Sequence, residues 1–232
     1  MHHNCIIHPA EQGSDEWHQA RNGLLTASEM NLALTPTLKA ADNAKTRAHV
    51  YELAAQRITG HTEAQYVSDE MLTGHVNEVI ARDLYSDAYE PVEELGFITR
   101  DFGGFTIGYS PDGGCIMSPR GIEIKSRRQK FMVQTVVDNV VPDEHMLQVQ
   151  TGLLVTGWEE IAFITYCGGM PLSVIDVKPS PKYQDAILKA AEDFEARVVD
   201  VMQRYKERVA AYDVVIETER EEEAQEVYFD TE

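Results

Sequence analysis

The stretch GYSPDGGCIMSPRGIEIKSRR, residues 108–128, contains a short alternating segment, GIEIK, that predicts a β-strand. Successive side chains of a strand point to opposite faces, so Glu123 and Lys125 would lie side by side on one face. The two isoleucines of the segment point to the other face. The stretch therefore predicts a strand with one apolar face and a carboxylate–ammonium pair on the other.

An aspartate precedes this strand in a tight turn. Asp112 follows a proline and precedes two glycines, at the end of a second alternating segment, residues 104–110. Adjacent antiparallel or curled strands would bring Asp112 beside Glu123, and the carbonyl of Ile124 would add a third oxygen ligand for a hard cation such as Mg²⁺. Lys125 would then stabilise negative charge or orient an attacking water. Taken singly, these residues also suit plainer interpretations, a turn-forming aspartate and an exposed strand face.

Basic residues cluster around these carboxylates in a chain that is acidic as a whole. The formal net charge is −19, which argues against a protein that coats nucleic acid through a global basic field. The local cluster suggests instead a negatively charged ligand, or a metal ion that holds one. Its members are Arg120, Lys125, Arg127, Arg128 and Lys130. For the members other than Lys125, contact with a ligand backbone and solvated surface are both open.

Length and charge distribution predict one large domain with an acidic end. A chain of 232 residues can bury a substantial core in a single domain. We assign residues 1–212 to this domain and residues 213–232 to an acidic tail, which holds nine acidic residues and one basic residue. Such a composition is typical of a solvated end, and an interaction handle is the alternative.

Signals for export or membrane insertion are missing from the sequence. No apolar run approaches the ~20 residues that a membrane helix needs, and residues 1–10 lack an apolar signal-peptide core. Three widely spaced cysteines match no metal-ligand spacing and suit a reducing compartment. We therefore expect a cytoplasmic protein that has no membrane partner.

The rest of the chain alternates between helical and strand patterns. Two alternating segments separated by a Gly-Gly-Met-Pro connection predict a pair of strands at 161–167 and 172–178. Apolar periodicity predicts helices at about 44–59, 69–88, 128–139, 143–157 and 188–209. This order predicts an α/β or α+β single domain, in which a mixed sheet is flanked by helices.

The predicted helix at 69–88 has two contrasting faces. Its apolar stripe is expected to face the core, and it consists of Leu72, Val76, Val79, Ile80 and Leu84. The opposite side carries Met71, His75, Glu78 and Arg82. Because the side chain of Met71 is apolar and its exposure to water is unfavourable, we expect this second face to line a cleft.

The order of the motifs resembles a known nuclease family. An aspartate after a proline, a gap and then Glu-x-Lys is similar to the PD-(D/E)xK pattern. Five blocks occur in the order found in the lambda exonuclease (YqaJ-type) family of viral recombination nucleases: GSDEWHQARNGLLTASEM, TGHVNE, SPDG, IEIK and HMLQVQ. The resemblance covers most of the chain and weakens after about residue 178. It implies a restriction-endonuclease-like core.

The resemblance also implies roles for the residues at the matching positions. Asp112 and Glu123 would be metal ligands, together with the backbone carbonyl of Ile124. Lys125 would be the catalytic lysine. Glu78 would reach the same site from its helix, as a catalytic residue and a further metal ligand.

Four matching residues would surround the 5′-phosphate of a DNA end: Arg21, Ser28, Ser110 and Gln148. A serine at a helix start and a guanidinium suit a phosphate, although a plain cap and a surface arginine explain the first two as well. Gln148 lies on a helix expected to be buried, where an amide needs partners, and Gly152 would leave room there for a ligand. Met71 takes the position of an apolar wedge that helps to part the strands. Trp17 is interpreted as a core residue.

As a function, the resemblance implies a Mg²⁺-dependent 5′→3′ exonuclease. It would degrade one strand of linear double-stranded DNA from a 5′-phosphorylated end, release mononucleotides and leave a 3′ overhang for recombination by strand annealing. Two Mg²⁺ ions are implied, and Mn²⁺ is expected to substitute. A processive, ring-shaped homotrimer, a single-strand annealing protein as partner and a phage or prophage gene in a bacterial cell are implied in the same way.

Two alternative functions fit the same fold. One is another PD-(D/E)xK enzyme, an endonuclease or a repair nuclease; the relatives with an iron–sulfur cluster need four cysteines, and the chain has three. The other is an acidic DNA-binding or regulatory protein that has lost catalysis. This second alternative predicts a broken metal site, whereas Asp112, Glu123 and Lys125 are all present.

Overall fold

Residues 106–126 pass from one β-sheet into a second one. The computed structural model describes residues 4–63 and 69–220, with only the backbone of residues 69–71. Nine strands lie in this part of the chain: β1 (Cys5–His8), β2 (Leu25–Thr26), β3 (Val92–Glu93), β4 (Phe97–Asp101), β5 (Thr106–Tyr109), β6 (Gly113–Cys115), β7 (Arg120–Ser126), β8 (Glu160–Tyr166) and β9 (Ser173–Val177). The first sheet has the order β1-β4-β5-β2 and the second the order β3-β6-β7-β8-β9.

Both sheets are mixed, as the sequence predicts. Strand β7 pairs in parallel with β8 and β2 in parallel with β5, whereas the other pairs are antiparallel. The predicted pair of strands after residue 160 is the antiparallel β8–β9 pair, with Ile164 opposite Val174. The segment GIEIK lies inside β7, whose residues 121–124 are all buried.

Seven α-helices of the described residues flank these sheets: α1 (Asp15–Arg21), α2 (Met30–Ala33), α3 (Ala44–Thr59), α4 (Asp69–Ala88), α5 (Gln129–Asp138), α6 (Asp143–Thr156) and α7 (Pro181–Ala210). A 3₁₀ turn, Ala27–Glu29, precedes α2. Gly60 ends α3 and Gly157 ends α6, because each glycine takes a left-handed conformation at the C-terminal end of its helix. The α/β architecture with helices on mixed sheets is confirmed.

The main core lies between α6, α7 and the sheets. Helix α6 is buried along most of its length, since the run from Val149 to Thr156 has no exposed residue. Helix α7 contributes one apolar side, which includes Phe194 and Val198. A smaller cluster on the other side of β7 and β8 holds Ile122 and Ile124. Strand β7 is therefore held from both sides.

The apolar stripe of α4 does not face the core, and this prediction is wrong. Its five members are 40–61% exposed. The helix packs on β7 and β8 through a narrower side that contains Ala81 and Tyr85, and Asn77 donates to Ser126 Oγ at 2.8 Å. A small residue and one large aromatic ring let the helix approach the sheet closely, so the bulkier aliphatic side chains are left in solvent. The polar side with Glu78 faces the protein instead.

Helix α7 ends at Ala210, and residues 211–220 are exposed. Residues 221–232, most of the predicted acidic tail, lie outside the described residues, so the division at residue 212 stays a prediction. Within the described ranges 4–63 and 69–220, every helix is too short or too polar to cross a membrane.

Candidate active site

Asp112 and Glu123 meet where the chain crosses between the two sheets. Asp112 follows β5, and its Oδ2 accepts a hydrogen bond from the backbone N–H of Ile124 at 2.5 Å. Both carboxylates are buried, with exposed fractions of 8% for Asp112 and 1% for Glu123. The predicted proximity is therefore present, and strand pairing produces it, because β6 pairs Gly113 with Ile122.

The buried carboxylates repel one another electrostatically. Burial raises the pKa of Asp112 well above its ordinary value, and the charges of Glu123 and Glu78 raise it further. Burial likewise raises the pKa of Glu78, although Arg82 opposes this effect. A cation placed between such groups would relieve both the desolvation and the repulsion.

Lys125 and Gln148 both donate to Oε1 of Glu123. The Lys125 Nζ and the Gln148 Nε2 each lie 2.6 Å from this oxygen. Burial lowers the pKa of Lys125, but Glu123 and Asp112 outweigh burial and raise the pKa to about 12. Lys125 is thus a cation at neutral pH. The position of Gln148 on a buried helix predicts that its amide needs a hydrogen-bond partner, and Glu123 is that partner.

Tyr109 is a member of this site that the sequence did not reveal. Its hydroxyl donates to Oε2 of Glu123 at 2.9 Å. Its pKa lies well above its ordinary value, first because the ring is buried and then because Glu123 and Asp112 are close, so the hydroxyl keeps its proton. The ring fills the space at Gly152, so the prediction that this glycine leaves room for a ligand is wrong.

Glu78 reaches the site from α4, as expected. It lines the same cleft as Asp112 and Lys125, a space of about 220 Å³. Its carboxylate is partly buried and lies 3.6 Å from Arg82 one turn later on the helix. Of the predicted polar side of α4, Glu78 lines the cleft, whereas the side chain of Met71 lies outside the described residues.

The four predicted phosphate contacts line this cleft too. Arg21 ends α1, Ser28 lies in the 3₁₀ turn, Ser110 follows β5 and Gln148 lies on α6. Arg21 Nη1 donates to Ser110 Oγ at 3.4 Å and its Nη2 to Thr26 Oγ1 at 3.4 Å. Burial lowers the pKa of Arg21, and Glu29 opposes this effect. The structure therefore brings a partly buried guanidinium and two serine hydroxyls into one cleft with the acidic residues.

Trp17 lies in the wall of this cleft, so its interpretation as a core residue is wrong. Its indole Nε1–H donates to Ser110 Oγ at 3.1 Å. The guanidinium carbon of Arg21 lies 4.2 Å from the centre of the indole ring, within the range of a cation–π contact. The placement of Trp17 at i−4 from Arg21 on α1 was a signal for this pairing, because residues four apart share a helix face.

The basic cluster of the sequence divides into separate environments. Arg120 lies at the other end of β7, where it contacts Glu160 and the hydroxyl of Tyr85. Arg127 pairs with Glu144 at 2.6 Å and is largely buried. Arg128 and Lys130 are exposed at the start of α5. Only Lys125 among the five lines the cleft.

The donor set suits a magnesium ion that keeps much of its water. Among the described residues, no three His, Cys, Asp or Glu side chains group closely enough to form a cage for a metal ion. Mg²⁺ is usually bound by one or two carboxylates plus water and substrate phosphate, and Asp112 with Glu123 supplies this minimum. Ile124 lines the cleft as well; its carbonyl stays a predicted ligand.

Comparison with known proteins agrees with the fold. Residues 16–159, more than half of the chain, match the model of the YqaJ-like viral recombinase domain. The alkaline exonuclease LHK-Exo from Laribacter hongkongensis is similar in structure, with a TM-score of 0.74 and 24% identity over 85% of this chain and 98% of that chain. Its complex with dAMP gives a TM-score of 0.73 and 25% identity over the same shares. A search of curated proteins found no significant match.

A phage-related exonuclease from Haemophilus somnus 129PT shares the fold at 10% identity, with a TM-score of 0.56 over 78% of this chain and 96% of that chain. The fold and the family together define a nuclease of the phage-recombination type. The chain belongs to the YqaJ-like viral recombinase domain family.

Proposed function

We propose that the protein is a Mg²⁺-dependent 5′→3′ exonuclease that degrades one strand of linear double-stranded DNA. It releases mononucleotides from a 5′-phosphorylated end and leaves a 3′ single-stranded overhang. One observation carries this proposal: Asp112 and Lys125, which lie beside the buried Glu123, line the same cleft as Arg21, Ser28 and Ser110. One cleft thus offers both a place for hydrolysis and a place for a terminal phosphate.

The residues of the cleft have distinct parts in this reaction. Bound Mg²⁺, with Mn²⁺ as a substitute and two ions in the complete site, would polarise the phosphodiester and activate water. Asp112 and Glu123 hold the metal, with Glu78 and the Ile124 carbonyl beside them. Lys125, protonated at neutral pH, stabilises negative charge on the phosphate or orients the attacking water.

The terminal phosphate is proposed to bind Arg21. Its guanidinium is held against Trp17 and Ser110, so little rotamer entropy is lost when a phosphate binds. Ser28 is exposed at the start of a 3₁₀ turn, and Ser110 offers a second hydroxyl. This contact would set the distance between the end of the strand and the hydrolytic residues.

We also propose the assembly and the partners that the family resemblance implies. The chain, of 26.1 kDa, would act as a processive homotrimer in the bacterial cytoplasm and pass its overhang to a single-strand annealing protein. The exposed apolar stripe of α4 supports an assembled state, because monomeric proteins rarely expose such contiguous patches. The molar mass in solution tests this proposal, which a purely monomeric protein would contradict.

Digestion of matched DNA substrates tests the proposed activity. We expect linear duplex with a 5′-phosphate to lose one strand in Mg²⁺, with no digestion in EDTA and slower digestion of a 5′-hydroxyl end. Arg21→Ala should remove the preference for the phosphorylated end, whereas Arg204→Ala, on the exposed side of α7, should keep it.

The alternatives give different outcomes in the same assay. Cutting of closed circular DNA would indicate an endonuclease or a repair nuclease. Binding of DNA without any cutting would indicate the acidic DNA-binding or regulatory protein, and would contradict the proposed exonuclease.

A further inference from the structure

Tyr109 is the last residue of β5 and lines the same cleft as Asp112. Its side chain is 1% exposed, and its ring packs edge-on against Trp158 with the ring centres 6.5 Å apart. A buried tyrosine hydroxyl needs a hydrogen-bond partner, and here the partner is Oε2 of Glu123 at 2.9 Å. The hydroxyl thus contacts a proposed metal ligand.

Helix α6 is shaped around this ring. A Cβ at Gly152 would lie 2.7 Å from Cζ of Tyr109, the carbon that bears the hydroxyl, and 2.8 Å from Cε1. Any side chain at this position would therefore displace the hydroxyl. One turn earlier, the same helix presents Gln148 to the other oxygen of Glu123. Both donors depend on the placement of one rigid, buried helix.

The carboxylate plane of Glu123 is consequently fixed by donors from three elements. Oε1 accepts from Lys125 on β7 and from Gln148 on α6, and Oε2 accepts from Tyr109 on β5. The terminal torsion of a glutamate is otherwise broad. Three donors occupy three of the four lone-pair directions of the carboxylate, so that the remaining one, on Oε2, keeps a fixed direction. Hydrogen-bond partners of this kind orient metal ligands and strengthen metal binding.

We propose that Tyr109 is a positioning residue that orients Glu123 for divalent-cation binding. The inference rests on the proposed function, because it takes Glu123 as a metal ligand. The Tyr109 hydroxyl is proposed to act through the Glu123 carboxylate, to which it donates. Gly152 contributes to this arrangement, because the absence of a side chain there leaves the space that the Tyr109 ring occupies.

Tyr109→Phe tests this role, because it removes the hydroxyl and keeps the ring against Gly152 and Trp158. Isothermal titration calorimetry in the absence of DNA would measure Mn²⁺ and Mg²⁺ binding. Thermal unfolding would measure stability, and a Mg²⁺ titration of activity would give the concentration for half-maximal hydrolysis. Loss of an orienting partner typically weakens metal binding about 10–100-fold, and we expect a Kd increase of about 10-fold, with a matching shift in the Mg²⁺ requirement. Gly152→Ala should weaken metal binding in the same direction.

Tyr85→Phe is the matched control. Tyr85 is fully buried and its hydroxyl accepts from Arg120 at 3.2 Å, away from the cleft, so its loss should leave the Mn²⁺ and Mg²⁺ affinities unchanged. Metal binding by Tyr109→Phe equal to that of wild type would overturn the inference while the proposed function stands. A wild-type protein that binds neither cation and does not hydrolyse DNA would overturn both.

Discussion

Lys125 shows how single residues of the cleft depend on their neighbours. Burial alone would favour the neutral amine, yet the carboxylates of Glu123 and Asp112 keep its pKa at about 12. The ammonium in turn offsets part of the repulsion between these carboxylates. The sequence predicted the pairing of Glu123 with Lys125 from their spacing of two residues, because a strand places such residues on one face.

Tyr109 could not be recognised from the sequence in the same way, and for Trp17 the signal was its position four residues before Arg21. Both are aromatic residues, and such residues often serve packing alone. Their hydrogen bonds to Glu123 and Ser110 depend on where β5, β7 and α1 come together. That arrangement is set by contacts distant along the chain, which single-sequence patterns do not contain.

His145 provides a pH prediction at the scale of one residue. Burial, Lys125 and Arg127 lower its pKa from 6.5 to about 4, although Glu144 opposes them, and its Nε2 lies 3.1 Å from Nη1 of Arg127. The unfolded chain therefore takes up this proton first as the pH falls. The stability that neutral His145 allows is complete above about pH 6.5 and is lost toward pH 4.

We expect the wild type to lose about 2 kcal/mol more unfolding free energy than His145→Gln between pH 7 and pH 5. Urea unfolding at both pH values measures this difference, and the comparison with the variant removes the contributions of other titrating groups. Equal losses in the two proteins would show that His145 does not cause acid sensitivity.

At the scale of elements, α4 shows the limit of periodicity. The apolar stripe correctly predicted a helix at 69–88 and wrongly predicted which side is buried. Hydrophobic spacing identifies faces, but it does not say which face finds a partner. Here α4 contacts the sheet through Ala81 and Tyr85, since a small residue permits close approach. Glu78, on the polar side of the helix, lines the cleft.

Strand β7 gives a stability prediction for the element that carries the site. A Cβ at Gly121 would lie 1.9 Å from Cζ3 of Trp158, a buried ring. Gly121→Ala should therefore destabilise the protein by about 1–3 kcal/mol or more, as overpacking of a core does. Thermal or urea unfolding measures the change.

Gly74→Ala is the control for this prediction. Gly74 lies within α4, and a Cβ there meets nothing within 4 Å. Alanine is favoured over glycine inside a helix by about 1 kcal/mol, so this variant should be neutral or stabilised. A stable Gly121→Ala protein would contradict the tight packing of β7 under Trp158.

At the scale of the whole molecule, the net charge of −19 is compatible with a DNA-processing enzyme. A terminal phosphate needs only local cations, and an acidic surface elsewhere discourages non-specific attachment to DNA. The sequence predicted the fold class and the proximity of Asp112 to Glu123, because the segments that carry them lead into the paired strands β6 and β7. It did not reveal that Arg120 and Arg127 serve ion pairs within the fold, since their partners are distant in sequence.

We propose that Asp112, Glu123 and Lys125 form the hydrolytic centre that cleaves DNA. The most direct test is the rate at which mononucleotides are released from linear 5′-phosphorylated duplex in saturating Mg²⁺, measured for Asp112→Asn, Lys125→Ala and the control Lys130→Ala. Lys130 is exposed and lies outside the cleft. Thermal unfolding verifies that each variant is folded.

We expect Asp112→Asn and Lys125→Ala to lose about 100-fold or more of the rate, as loss of a charge-stabilising group does, while Lys130→Ala keeps the wild-type rate. Folded Asp112→Asn and Lys125→Ala proteins that release mononucleotides as fast as Lys130→Ala would contradict the account.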